Sequence, residues 1–358
     1  RLESVRPLRS LLESPYDLFN GMLQNLSLKA LPAHQIIALR LPTLLMLASS
    51  IVFIAASLYI KYRNRYLPYT YLILCTLAPL IILLSHQAHL PGMDLLFFGS
   101  LLTLSLLLIT STSVRASRKR YFLLGGAASL AMLTLQPLGL PIALILAIII
   151  SRSTELRYHI LSFKKLIPVL SIFGIILILA LNVYITIKNR DFIKITSGLE
   201  ALKNYSSVGQ ATIQTVKSIF GLGEPLGFIT GTNRPDFLLI GALTLTAYEV
   251  TKKRQGRATL LIIFAASILI SGLYAQMGSI VIPAVVAPAI VSLVVANMIR
   301  IIDVAFPFNP YPRNTAKVLI LLLISVISSL SLYTFTSATI RQNTPQTVNL
   351  KLQNYKKE

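Results

Sequence analysis

The chain has 358 residues, of which 54% are apolar and 13% are charged, and its mean hydropathy is +0.72. Soluble domains carry about 25% charged residues, so this composition excludes an ordinary soluble enzyme and predicts a membrane protein. The net charge of +21 does not indicate a nucleic-acid partner, because the basic residues form short runs between apolar blocks. A single cysteine, Cys75, excludes a disulfide framework.

Residues 1–40 are polar and mixed, and they precede the first apolar block. We expect them to form an extracytoplasmic N-terminal segment. The chain begins at Arg1 and shows no charged region followed by an apolar stretch, so we also expect the complete protein to start further upstream.

Ten apolar blocks follow, and each is a candidate membrane segment. They predict an all-α, polytopic membrane protein with about ten transmembrane or short re-entrant helices, divided into N-terminal membrane helices at 41–187 and C-terminal membrane helices at 237–339. The blocks are 41–60, 69–85, 94–112, 121–135, 137–150, 166–187, 237–251, 258–274, 279–299 and 318–339.

The charges of the loops predict the orientation. The loops after the first, third, fifth, seventh and ninth blocks each hold three or four Lys or Arg, whereas the short loops 86–93 and 275–278 hold none. By the positive-inside rule the basic loops are cytoplasmic. Residues 1–40, 188–236 and the tail 340–358 are then outside, and we expect a multi-pass plasma-membrane protein whose carboxylate chemistry is extracytoplasmic.

The apolar stretch 121–150 has basic runs at both ends, so the chain must turn back within it. Gln136 and Pro137 mark the turn, because proline removes a backbone donor and clashes with the preceding helical turn. We expect two short helices that meet near the outer surface; the alternative is one kinked helix.

The segment 188–236 is the largest polar region between membrane blocks. Ile213, Val216 and Phe220 stand at helical spacing with polar residues between them. This pattern predicts an amphipathic, juxtamembrane helix lying on the outer membrane surface.

Polar residues that could carry chemistry lie mainly at the predicted outer ends of the helices. Asp94 is the best acidic candidate, and the alternative is that it caps the helix 94–112. His86 and His89, spaced by three, could bind a metal ion or a phosphate, or they could be ordinary surface histidines. Arg40 could face a lipid phosphate, or it could be an interfacial arginine whose stem is buried. Arg234 is a similar candidate.

Four stretches of this sequence, in this order, resemble the C-type membrane glycosyltransferases (GT-C fold), the superfamily of protein O-mannosyltransferases and lipid A aminoarabinose transferases. Ala38–Thr43 is similar to the Arg-Leu-Pro-Ser sequence that opens a membrane helix in that family, and Glu13–Phe19 resembles the Pro-rich approach to it. Ser85–Phe98 is similar to the family's polar outer loop with an acidic residue, and Leu133–Gly139 to its break between two short helices. The resemblance covers residues 13 to about 150.

The resemblance implies transfer of a sugar from a polyprenyl-phosphate donor to a protein, lipid or glycan acceptor on the outer side of the membrane. Acidic residues, here Asp94 and Glu3, would act on the acceptor, and basic groups or a divalent metal ion would stabilise the departing phosphate. Glu3 enters as a remnant of an acidic motif that in the family follows a first membrane helix, which this sequence lacks. The donor and acceptor contacts within the resembling stretches are Arg40, His86, His89 and Gln136, and Arg234 joins them as a basic residue of the outer segment 188–236. His86 and His89 stand where the family often has arginine, and Gln136 where it commonly has lysine.

Two other functions remain open from the sequence. A lipid-linked oligosaccharide flippase or other multi-spanning transporter would need a polar path through the bundle. A non-catalytic membrane scaffold would use the outer segments to bind a partner protein.

Overall fold

The computed structural model describes residues 18–31, 35–85, 90, 92–111, 114–136, 139, 142, 205–220, 237–251, 255–273 and 280–342. Over these residues the chain forms eleven α-helices and no β-strand, which confirms the all-α prediction for this part of the protein. The helices are α1 Leu18–Ala30, α2 Gln35–Tyr62, α3 Tyr66–Leu77, α4 Pro79–Ser85, α5 Met93–Thr110, α6 Ala116–Thr134, α7 Tyr205–Ile219, α8 Phe237–Thr251, α9 Gln255–Leu273, α10 Val281–Ala305 and α11 Pro310–Gln342.

Four of the described helices are long and apolar enough to cross a membrane. They are Ile37–Tyr62 in α2, Met93–Thr110 in α5, Val281–Ala305 in α10 and Pro310–Leu330 in α11, while shorter apolar stretches lie in α3, α6, α8 and α9. These helices are compatible with a polytopic membrane protein. The predicted number of about ten spans is not confirmed, and the block 166–187 and nearly all of 137–150 lie outside the described residues.

A proline divides the second predicted block into two helices. The block 69–85 is not one helix but two, α3 and α4, separated at Ala78, whose backbone is extended (φ −70°, ψ 115°). Pro79 lacks an N–H and disfavours the helical conformation in the residue before it. Pro42, by contrast, lies inside α2, because this helix begins at Gln35, earlier than the predicted start at residue 41.

Small residues let α5 and α6 approach closely. A Cβ added to Gly126 would lie 3.4 Å from the Ser105 Cβ, and one added to Gly125 would lie 3.6 Å from the Ser105 hydroxyl. Close contact through glycine and serine is typical of helix pairs in membranes. The two helices are antiparallel, so the end of α6 lies beside the beginning of α5.

Helix α6 ends at Thr134, close to the turn predicted at Gln136. Nearly all of the second predicted helix, 137–150, lies outside the described residues, so the helix pair stays a prediction. The first of the two predicted short helices is longer than expected. It begins at Ala116 rather than Tyr121, and the basic run Arg118–Arg120 forms part of its first turns. The helix predicted around Ile213 and Val216 is also present as α7. It packs on α9, where the Thr215 and Ser271 hydroxyls lie 3.2 Å apart.

Helix α10 lies at the centre of the described helices, and α11 lies at their edge. The most apolar window of α10 is 72% buried, compared with 6% for α11. The fully buried Tyr71 of α3 donates a hydrogen bond from its hydroxyl to the Val285 carbonyl of α10 (3.0 Å), which fixes these two helices together.

The loops after α2 and after α10 lie at the same end of the bundle, in agreement with the topology predicted from the charges. The Asn64 amide donates to the Ala296 carbonyl (3.4 Å), and the Lys317 ammonium donates to the Tyr66 hydroxyl (3.3 Å). We call this the basic end. The opposite end, where α5 begins, is called the Asp94 end.

Candidate functional site

Asp94, in the first turn of α5, is completely buried, with 0% of its surface exposed. Its carboxylate accepts hydrogen bonds from the backbone N–H groups of Phe19 (2.7 Å to Oδ2) and Asn20 (3.0 Å to Oδ1). It also accepts one from the Gln136 side-chain amide (3.2 Å to Oδ2). Asp94 therefore joins the beginning of α1, the beginning of α5 and the turn after α6.

Asp94 is not the N-cap residue of its own helix, which was the alternative prediction. The residue at the N-cap of α5 is Gly92, in the left-handed conformation (φ 80°), and Asp94 lies within the first turn of the helix. The carboxylate instead accepts from the first N–H groups of α1, which have no partner within their own helix. A carboxylate at a helix N-terminus is also favoured by the helix dipole.

A second group of polar side chains joins α1 to α2. Asn20 and Thr43 exchange hydrogen bonds through the Asn20 amide and the Thr43 hydroxyl (3.1 and 3.2 Å). The Gln24 amide donates to the Leu39 carbonyl (3.1 Å) and to the Thr43 hydroxyl (3.2 Å). Together with Asp94 and Gln136, the residues Asn20, Gln24 and Thr43 form what we call the Asp94 cluster.

Aromatic rings pack below the Asp94 cluster. Phe19 lies against Phe98, with ring centroids 5.1 Å apart, and stacks on Phe97 at 6.1 Å. Phe97 in turn contacts Phe53 of α2 at 5.7 Å. The first turn of α1 is thus held both by Asp94 and by an apolar contact with α5, and the rings separate the polar cluster from the interior.

The turn after α6 directs Gln136 toward Asp94. The Gln136 N–H donates to the Leu133 carbonyl (3.1 Å), and the Gly139 N–H donates to the Gln136 carbonyl (2.8 Å). A Cβ on Gly139 would collide with the Leu133 carbonyl oxygen, so only glycine fits here. Gln136 is fully buried, and its side-chain oxygen Oε1 has no hydrogen-bond partner among the described residues. An unpaired buried acceptor of this kind costs about 1–3 kcal/mol, which favours a ligand group or a water molecule beside it.

An apolar cavity of about 360 Å³ begins beside the Asp94 cluster. Its walls come from α2, α5, α6, α9 and α10. They include Leu95 and Leu96 near Asp94, and Lys61 and Tyr62 at the far end. The Ser100 and Thr103 hydroxyls in its wall donate to carbonyls of α5 itself (2.9 and 2.8 Å). The cavity therefore has the chemistry of a site for an apolar chain.

The structure brings together two of the predicted site residues, Asp94 and Gln136. Arg40 lies at the same end, on α2 one turn before Thr43, and its side chain is exposed. The other four predicted site residues lie outside the part of the chain that the structure describes: Glu3, His86, His89 and Arg234.

A divalent metal ion was the cofactor implied by the resemblance. Across the described ranges, no group of three or more His, Cys, Asp or Glu side chains is placed to hold a metal ion. Both oxygens of Asp94 already accept hydrogen bonds. The described residues therefore do not fit a metal ion, and no step below depends on one.

Three residues of the cluster were not predicted from the sequence, namely Asn20, Gln24 and Thr43. Two signals could have found them. Asn20 and Gln24 are spaced by four residues, which places both on one face of a helix, and Thr43 follows the proline of the stretch Ala38–Thr43 that carried the resemblance. Comparison of the chain with known protein families, curated proteins and solved structures finds no match.

Proposed function

We propose that the protein is a membrane glycosyltransferase that takes a sugar from a polyprenyl-phosphate donor and transfers it to an acceptor at the Asp94 end. The observation that carries this proposal is the apolar cavity that begins directly beside a buried polar cluster. A substrate that combines a long apolar chain with a polar head group suits that arrangement.

The cavity suits the donor chain in chemistry and in size. Along α5 it extends from Leu95 to Leu107, which is about 18 Å at the rise of an α-helix. Its volume of about 360 Å³ lies within the usual range for ligand sites, about 300–1,000 Å³. Several isoprene units could lie along α5, with the phosphate at the Asp94 end.

Two groups at the Asp94 end are available to the donor head group. The Arg40 side chain is exposed, and its forked N–H groups match two oxygens of a phosphate. Gln136 Oε1 lacks a partner and can accept a hydrogen bond from a sugar hydroxyl. In the proposed reaction the acceptor oxygen forms a bond to the anomeric carbon, the bond from that carbon to the phosphate oxygen breaks, and the polyprenyl phosphate leaves.

Asp94 acts in this proposal as a positioning residue. Its carboxylate is buried and is occupied by the N–H groups of α1 and by Gln136, so it orients the Gln136 side chain rather than reacting itself. Glu3 remains the predicted base that takes the proton from the acceptor.

The cavity can be filled without disturbing the fold, because a Cβ on Gly99 would meet nothing within 4 Å and Gly99 lies in the cavity wall. Gly99→Leu should therefore block the donor chain. Gly241→Leu is the matched control, since a Cβ on Gly241 also meets nothing within 4 Å but Gly241 lies on α8, away from the cavity.

The test measures transfer of labelled mannose from polyprenyl-phosphate mannose by the full chain in proteoliposomes. We expect the transfer rate of Gly99→Leu to be at least about tenfold lower, which corresponds to an increase of roughly 1.4 kcal/mol in the activation free energy. Gly241→Leu should keep the wild-type rate. Equal rates for the two variants would reject the cavity as the donor site. Movement of the intact donor across the bilayer without transfer would favour the flippase instead.

A further inference from the structure

Five side chains meet at the basic end. The end of α2 at Tyr62 lies about 30 Å from Thr43, given the rise of an α-helix. Arg65 and Lys317 both contact Tyr66: each donates to its hydroxyl (3.4 and 3.3 Å) and lies over its ring, 5.2 and 5.1 Å from the centroid. Lys317 also forms an ion pair with Asp303, and the Arg313 Nε lies 3.8 Å from the same carboxylate. We call these five residues the Tyr66 network.

The network has an excess of positive charge that its own members do not neutralise. It contains three cations and one carboxylate, and the Asp303 carboxylate is taken up mainly by Lys317, whose side chain is 13% exposed. The Arg313 side chain is 32% exposed, and its buried Nε lies 3.8 Å from the Asp303 carboxylate, beyond hydrogen-bond distance. Arg65 is exposed. Of the three cations, Arg65 and Arg313 are thus the two that the single carboxylate neutralises least.

The network lies where a membrane span meets water. The apolar part of α2 ends at Tyr62, and that of α11 begins at Pro310. Phe308 and Tyr311, in the same connection, are 97% and 83% exposed, which is typical of aromatic residues at the head-group level of a bilayer. Beyond the network, α11 presents an apolar face that includes Val318, Leu319 and Leu322, each more than half exposed.

We infer that the Tyr66 network binds the head group of an anionic phospholipid, with its phosphate on Arg65 and Arg313 and its acyl chains on the exposed face of α11. Two forked guanidinium groups match phosphate oxygens. An adjacent apolar helix face fits a lipid better than an acidic soluble protein, which would present no chains to it. The loops concerned are those that the charge pattern assigns to the cytoplasmic side, where anionic lipids attract basic groups.

This site is distinct from the proposed head-group site at the Asp94 end, and none of its five residues lines the cavity. It does not depend on the proposed transferase activity. Its test therefore needs no substrate.

The experiment compares lipid binding by the purified full chain and its variants, using native mass spectrometry and thermal unfolding with phosphatidylglycerol or phosphatidylcholine. Arg65→Gln with Arg313→Gln removes both guanidinium groups but keeps the pair between Lys317 and Asp303. We expect this double variant to bind phosphatidylglycerol on the order of thirtyfold more weakly, given the contribution of each basic residue at an anionic surface. Its binding of phosphatidylcholine should be unchanged.

The matched control is Arg118→Gln, an exposed arginine in the first turn of α6, which is predicted to begin on the same side of the membrane. Arg118→Gln should retain phosphatidylglycerol binding. Equal losses in the control and the double variant would overturn the proposal in favour of a general charge effect, as would wild-type binding by the double variant. Inorganic phosphate that stabilises the protein as well as phosphatidylglycerol does would overturn the lipid as the ligand. If the double variant unfolds earlier in phosphatidylcholine alone, the single variant Arg65→Gln decides, because this exposed side chain supports no core packing.

Discussion

The Gln136 side-chain amide donates to the Asp94 carboxylate across 42 residues of sequence, with a distance of 3.2 Å. The contact follows from the packing of α5 on α6. Ser105 lies opposite Gly126, and in an antiparallel pair each step back along α5 is matched by a step forward along α6. Eleven residues back from Ser105 is Asp94, and ten residues forward from Gly126 is Gln136, so the small-residue contact sets the register of the candidate site.

Replacing Asp94 with Asn should stop sugar transfer and loosen α1. The side-chain NH2 group of the new asparagine would face one of the three hydrogen-bond donors that now bind Asp94. These donors are the Phe19 and Asn20 N–H groups and the Gln136 amide. A buried donor left unpaired costs about 1–3 kcal/mol. The measurements are the transfer rate and the rate of limited proteolysis within α1, with membrane expression unchanged. Wild-type transfer by this variant would remove Asp94 from the site.

Replacing Gly139 with Ala should displace the turn that holds Gln136. The added methyl would collide with the Leu133 carbonyl oxygen, and backbone shifts of this kind cost about 1–3 kcal/mol. Thermal unfolding in detergent is the measurement. Gly241→Ala is the control, because its methyl meets nothing and the loss of a helical glycine should stabilise the protein by about 0.5–1 kcal/mol. Equal unfolding temperatures for the two variants would show that the turn is not closed as described.

A pair of introduced cysteines should form a disulfide between α1 and α2. Asn20 and Thr43 exchange side-chain hydrogen bonds, so cysteines at these two positions should lie close enough to bond. In a Cys75→Ala background, Asn20→Cys with Thr43→Cys should form an intramolecular disulfide under mild oxidation, detected by mass spectrometry of the linked peptides. The pair Asn20→Cys with Ser57→Cys is the control and should not link, because Ser57 lies about 21 Å further along α2 at the helical rise. Failure of the first pair to link would contradict the position of α1.

Several features of the fold could be predicted from the sequence because they depend on local composition. Apolar blocks located α5 and α8 almost to the residue, and the proline after Gln136 located the end of α6. The division at Ala78 was missed, although Pro79 is a local signal, because the apolar run continues through it. The start of α2 was placed too late because Pro42 is typical of a first helical turn, whereas the helix already includes the apolar residues Ile36 to Leu39.

The candidate site was predicted less completely, because it is built from long-range contacts. Asp94 was proposed from its place at a helix start, and Gln136 from the resemblance. The partner of Asp94 could not be predicted, because a carboxylate in the first turn of a helix is expected to serve that helix, and only the packing of α1 shows that it serves another. Asn20 and Thr43 look like ordinary polar residues until α1 folds back along α2.

The most direct test of the proposed donor site is photolabelling of the full chain in membranes with a polyprenyl phosphate that carries a benzophenone at the end of its chain. The labelled peptide is then identified by mass spectrometry. The proposal predicts label on the cavity wall, between Gly99 and Leu107 of α5 or on the facing residues of α2 and α10, and loss of that label in Gly99→Leu. Label confined to the lipid-exposed face of α11, and unchanged in Gly99→Leu, would contradict it.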